Sequence, residues 1–206
     1  ERIGFFMKTE SIAFAVAGML FGLIAGWVIG SQQAASAVPP PGTTQQAAPA
    51  PQGQPPAVDE AQAAALRGAA DREPANPTPR VQLGNLYFDA GQYTEAITWY
   101  TDALKLAPED VNVSTDLGVS YYYTDQPDRA LEQFARSLEI APNHSKTLLN
   151  LGIVRAFGKQ DLEGAEEAWT RVIELAPDST EGQAAQRALE SLRTAHPPSG
   201  GGTPGA

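Results

Sequence analysis

Side chains that could act as bases, nucleophiles or metal ligands are sparse in this sequence. Its two histidines are His144, in a predicted turn, and His196, in a Pro- and Gly-rich tail. No cysteine is present, which excludes a thiolate metal site and a cysteine nucleophile. Glu163, Glu166 and Glu167 are typical of the solvated face of a helix, and no Gly-rich phosphate loop occurs. We therefore expect no enzymatic activity, no metal site and no cofactor.

The charge balance argues against a nucleic-acid partner. The formal net charge is -10, and nearly all charged side chains lie between residues 59 and 195. An acidic surface repels nucleic-acid phosphates. We therefore expect no nucleic-acid binding.

Internal repetition is the strongest signal in the chain. Leu-Gly pairs begin at Leu83, Leu117 and Leu151, at intervals of 34 residues. The same small residue returns as Ala96, Ala130 and Ala165, an aromatic residue follows each of these alanines four positions later, and a proline closes each unit. A period of this length fits two helices joined by a tight turn. Because one such pair cannot bury its own apolar side, the units must stack into a solenoid.

These residues resemble the tetratricopeptide repeat. The pattern of the first unit is carried by Leu83, Gly84, Tyr87, Ala96, Tyr100, Ala103 and Pro108. The second unit has Ser137 in place of the second alanine. The third has Arg155 for the tyrosine, Val172 for the second alanine, and one extra residue between its Leu-Gly pair and its alanine, so we expect a distorted turn at 158–164. The fold class is accordingly all-α, a helical-repeat solenoid of about three repeats with capping helices.

The repeat gives the domain limits. We place a capping helix at 59–76, repeats at 77–110, 111–144 and 145–178, and a second capping helix at 179–195. Residues 196–206 form a tail without a predicted element.

The resemblance implies a concave surface lined by the first helix of each pair. Projecting the helical phase onto that surface gives a candidate groove for a partner protein: Asn85, Phe88, Asp89, Val119, Tyr122, Tyr123, Ile153 and Phe157. Aromatic side chains of this kind can anchor an extended or helical peptide. For Tyr122 and Phe157, packing in the core is an equal alternative. Only Lys146 lies near the groove, so it does not resemble the basic clamp with which some members of the family hold an acidic C-terminus.

A long apolar run precedes the repeats. Residues 12–30 carry no charge, and as a helix they would extend about 28 Å, close to the hydrocarbon thickness of a bilayer. Arg2 and Lys8 precede the run and no basic residue follows it before Arg67, which favours a cytoplasmic segment at 1–11 and an extracytoplasmic repeat domain. A cleaved signal peptide is the alternative, because 35–37 offers a small-x-small pattern; the run is longer than most signal-peptide cores.

Four glycines recur along this apolar run, at Gly18, Gly22, Gly26 and Gly30. Spacing by four places them on one face of a helix, where a second membrane helix can approach closely. Residues 31–58 contain seven prolines and no aromatic residue, so we expect a disordered or polyproline-like linker.

Together these features predict a single-pass protein of a bacterial inner membrane with a periplasmic repeat domain. Its expected function is a scaffold that binds other proteins through the candidate groove. The alternative is an accessory subunit of a larger membrane complex, docked through the Gly-rich face of its transmembrane helix.

Overall fold

The computed structural model describes residues 55–196, and this part of the chain is entirely helical. The apolar run at 12–30, its four glycines, most of the linker and the tail from residue 197 lie outside the described residues. The eight α-helices are α1 (Glu60–Arg72), α2 (Thr78–Asp89), α3 (Tyr93–Leu106), α4 (Val111–Tyr123), α5 (Pro127–Ile140), α6 (Ser145–Ile153), α7 (Leu162–Leu175) and α8 (Thr180–Ala195).

Three helix pairs stack between two single helices. α2 packs on α3, α4 on α5 and α6 on α7, and each pair also contacts the next one along the chain. α1 covers the first pair and α8 covers the last. The structure therefore has the all-α repeat architecture that the period predicts.

Glycine and a large aromatic ring meet at the same place in every pair. A Cβ atom at Gly84, Gly118 or Gly152 would come closer than 3.0 Å to the ring of Tyr100, Phe134 or Trp169 respectively. The three aromatic side chains are at most 1% exposed. Because the missing side chain lets the ring lie directly on the first helix, this contact sets the distance between the two helices of each pair.

The turn inside each pair contains one residue with positive φ: Gly91 (70°), Asp125 (59°) and Gln160 (57°). The intervals between them are 34 and then 35 residues, so the extra residue of the third unit lies before Gln160. It is accommodated in a π-helical turn, Val154–Gly158, where the N–H of Lys159 donates to the carbonyl of Val154 at 3.1 Å. The irregularity therefore begins in the helix, upstream of the 158–164 stretch where the sequence predicted it, because a π-turn accommodates one added residue without ending the helix.

Side-chain caps fix several helix starts. Asp59 accepts from the N–H groups of Ala61 and Gln62 at 3.0 Å, and Asp110 accepts from the N–H of Val113 at 3.0 Å. Asp161 and Ser179 cap α7 and α8 in the same way. Each cap satisfies amide groups that have no partner within the helix.

The ordered fold starts before the first helix. Val58 is half-buried and packs on the main apolar core, and the ring of Pro55 lies against Gly91. These residues belong to the segment that the sequence assigned to the linker. Within residues 55–196, no helix is long and apolar enough to cross a membrane.

Candidate functional site

Most of the candidate groove residues lie on two neighbouring first helices, three on α2 and three on α4. Asn85 and Asp89 are exposed, and Phe88, Val119, Tyr122 and Tyr123 are half-buried. Phe157 is 42% exposed.

Ile153 differs from the other groove residues. Its side chain is only 9% exposed, within the core of the third pair. Ile153 therefore contributes to packing and offers little surface to a partner.

An aromatic cluster forms one end of the groove. The ring of Tyr123 stacks on that of Tyr93, with centroids 4.3 Å apart and planes 8° from parallel. Phe88 meets both rings edge-on, at 5.4 Å from Tyr93 and 6.5 Å from Tyr123. Tyr93 belongs to a second helix and was not expected here; its place directly after the Gly91 turn is the signal that could have indicated it. The cluster joins the first pair to the second.

Tyr121 and Tyr122 are adjacent in sequence but lie in different surroundings. Tyr121 is 7% exposed, with the guanidinium of Arg129 4.0 Å from its ring centroid and an Arg129 nitrogen donating to its hydroxyl at 2.8 Å. Tyr122 is half-buried beside the π-turn of the third pair, where a Cβ at Gly158 would lie 3.1 Å from its ring. Tyr121 thus packs within its own pair, whereas Tyr122 borders the groove.

Three interacting charged side chains, Asp89, Asp116 and Lys146, lie on successive first helices. Nζ of Lys146 is 2.7 Å from Oδ1 of Asp116, and both side chains are partly buried. Burial raises the pKa of Asp116, and the ammonium of Lys146 opposes that shift. Burial and then the charge of Asp116 raise the pKa of Asp89, while Lys146 again acts in the opposite direction. The sequence had not marked Asp116 as a groove residue, although it lies three residues before the groove residue Val119 on α4.

Asn85 is held in one orientation by the core. The hydroxyl of the buried Tyr100 donates to Oδ1 of Asn85 at 2.8 Å. Because Oδ1 of Asn85 accepts this hydrogen bond, the side-chain nitrogen of Asn85 remains available as a donor at the surface.

His144, which the sequence placed in a turn, is half-buried, and its ring joins a chain of hydroxyl groups. Thr115 Oγ1 donates to the carbonyl of Val111 at 2.7 Å and lies 2.6 Å from Thr147 Oγ1, which lies 2.6 Å from Nδ1 of His144. Each hydroxyl has one proton, so Thr147 donates to Thr115 and the Nδ1–H of His144 donates to Thr147. Burial lowers the pKa of His144. These hydrogen bonds link the second and third pairs through their first helices.

Ser137, which replaces an alanine of the repeat pattern, is also satisfied within the core. It donates to Ser114 Oγ at 2.8 Å, and Gln133 Nε2 donates to the same oxygen at 2.6 Å. Among residues 55–196 no buried side-chain nitrogen or oxygen lacks a hydrogen-bond partner, and no group of three acidic, histidine or cysteine side chains could hold a metal ion.

Two sequence models of one repeat family match the chain. The family described as "TPR repeat" matches residues 84–125, and that described as "Tetratricopeptide repeat" matches residues 115–180.

Curated relatives match about half of the chain. It is 33% identical over 100 residues to the BBSome complex member BBS4 of Bos taurus, an alignment that covers 48% of this chain and 19% of that protein. It is 31% identical over 121 residues to the heat-shock protein cognate co-chaperone sgt12 of Aspergillus fumigatus, which covers 57% of this chain and 35% of that protein. The chain therefore spans about a fifth to a third of the length of these relatives.

A solved structure is similar over most of its own length. The first TPR of Spaghetti (RPAP3), bound to the HSP90 peptide SRMEEVD, is 26% identical, with a TM-score of 0.50 over 67% of this chain and 95% of that chain. Fold, repeat pattern and sequence models agree on the same residues. Residues 84–180 therefore carry tetratricopeptide repeats.

Proposed function

We propose that this chain is a protein-interaction scaffold whose candidate groove holds a segment of another protein. The observation that carries the proposal is the shared surface of the first helices, where partly exposed aromatic rings lie beside an oriented amide and an exposed carboxylate. Aromatic anchors flanked by fixed polar groups are the usual composition of a peptide-binding site. The peptide complex of the RPAP3 domain gives a precedent for binding on this fold.

The charge of the groove argues against the peptide class in that complex. The peptide SRMEEVD contains three acidic residues. Lys146 is the cation that lies beside this groove in the described part of the chain, and it is already paired with Asp116. We therefore propose that the partner of this chain is not an acidic tail.

The location follows from the sequence alone and is part of the proposal. Residues 12–30 would anchor the protein in a bacterial inner membrane, with the repeat domain on the extracytoplasmic side. The rival proposal, an accessory subunit of a larger membrane complex, places the main contact on the glycines at 18, 22, 26 and 30.

Site-specific photo-crosslinking in intact cells tests the groove against that rival. A photoreactive phenylalanine derivative at Val119, in the groove, is compared with one at Arg136, which is exposed on the second helix α5. Groove binding predicts a crosslinked protein from Val119 and none from Arg136. A partner crosslinked only from positions 18 or 22 would favour the subunit proposal and contradict the scaffold.

A further inference from the structure

The three charges of the groove do not balance. Asp116 and Lys146 form a close pair, so their charges offset each other. Asp89 carries a second negative charge on the same surface, and within residues 55–196 no hydrogen bond or ion pair engages its carboxylate. The three side chains therefore carry one net negative charge.

The position of Asp89 is unfavourable for folding. It is the last residue of α2, where the helix dipole presents its negative end and a carboxylate is repelled. The neighbouring Asp116 adds repulsion of the same sign, and Lys146 compensates only in part. The exposed Asp89 carboxylate is therefore open to a cation supplied by a partner.

The groups around Asp89 define what that contact requires. Asn85 lies one turn earlier on the same face of α2, with its amide held by Tyr100. Phe88 is half-buried within the aromatic cluster, and Val119 adds an aliphatic surface from α4. A ligand would thus meet one negative charge, one amide donor and an apolar wall.

Resting on the proposed function, we propose that the groove binds an extended segment of a partner protein that carries a lysine or arginine. The cation pairs with the Asp89 carboxylate, and its apolar neighbours contact Phe88 and Val119. Charge complementarity excludes an acidic segment, because Asp89 and Asp116 would repel it and the ammonium of Lys146 is already paired with Asp116. The pairing lies in a partly desolvated groove, where it selects among partners more than it adds affinity.

A phage-displayed library of random linear peptides, sorted on the full chain in a non-ionic detergent, tests this proposal. Wild type is compared with Asp89→Asn and with the control Glu132→Gln, which removes an exposed carboxylate from the second helix α5. We expect wild type and Glu132→Gln to recover peptides enriched in lysine or arginine beside apolar residues. Asp89→Asn should recover apolar peptides without that enrichment, and its melting temperature should be equal or higher because an unfavourable charge is removed.

Affinity measurements on one recovered peptide make the test quantitative. Replacing its basic residue with norleucine should weaken binding to wild type by about fivefold, the range of a partly exposed ion pair, and leave binding to Asp89→Asn unchanged. Recovery of peptides without basic enrichment, or with acidic enrichment, overturns this inference while the groove function stands. Recovery of no peptide above background overturns both.

Discussion

Replacing Gly118 with alanine should destabilise the fold although alanine is the better helix former. A Cβ atom at Gly118 would lie closer than 3.0 Å to two ring carbons of Phe134. That ring is fully buried, so it has no free space into which to move. Overpacking at such a site costs about 1–3 kcal/mol, against a gain of about 1 kcal/mol from helix propensity, so the net loss is up to about 2 kcal/mol.

Gly68 in α1 supplies a matched control. A Cβ atom there would meet only the end of the Arg72 side chain, at 3.3 Å, and that side chain is flexible. Gly68→Ala should therefore stabilise the fold by about 0.5–1 kcal/mol, the usual gain of a compatible replacement in a helix. The same chemical change is thus expected to have opposite signs at the two positions.

Urea unfolding of residues 55–196, followed by circular dichroism, measures both changes. Phe134→Leu provides a further check, because the smaller side chain leaves room for the added methyl group. On that background Gly118→Ala should cost less than it does alone. If Gly118→Ala is as stabilising as Gly68→Ala, or if its cost is unaffected by Phe134→Leu, the ring does not set the distance between the helices.

Tyr121→Ala should lower the free energy of unfolding by about 3–5 kcal/mol in thermal or urea melts, because the ring is buried under Arg129. Tyr122→Ala should lower it clearly less, because Tyr122 is only half-buried. Equal losses would contradict the placement of the two rings. The pKa of Asp89 is raised in the folded state, so protonation of Asp89 stabilises the fold; this stabilisation is complete below about pH 3.8 and is lost as the pH rises through the folded-state pKa. In urea titrations, Asp89→Asn should therefore gain more stability over wild type at pH 7 than at pH 4. A larger gain at pH 4 would contradict the direction of the pKa shift. Protease added to right-side-out spheroplasts should digest the repeat domain, and its survival until the membrane is breached would place the domain in the cytoplasm.

The repeat fold was predictable because its determinants recur at a fixed period. Gly118 and Phe134 fall at the same places as their counterparts in the other pairs, so sequence spacing alone identifies the contact between them. The π-turn was only partly predictable: an extra residue can be counted in the third unit, but its location depends on which backbone segment absorbs it at least cost. The location depends on how α6 and α7 pack, and the number of residues in the unit does not reveal it.

The candidate groove was less predictable than the fold. Helical phase places Phe88 and Asp89 on a first-helix surface, but it does not reveal that Tyr93 stacks on Tyr123 from a second helix or that Ile153 is buried. Both depend on how neighbouring pairs meet. The ion pair between Asp116 and Lys146 could also be identified only from the structure, since the two residues lie 30 positions apart in sequence.

The dissociation constant for the partner crosslinked from Val119 tests most directly whether the groove holds a protein partner. The groove variant Tyr122→Ala/Phe157→Ala is compared with Leu106→Ala/Ile140→Ala, a control that removes two exposed side chains, 40% and 43%, from the second helices. If the aromatic pair anchors the partner, the groove variant should raise the dissociation constant by at least about 30-fold, the effect of a single hot-spot residue, while the control stays within about threefold of wild type. Equal effects of the two variants, or unchanged binding by the groove variant, would contradict the claim.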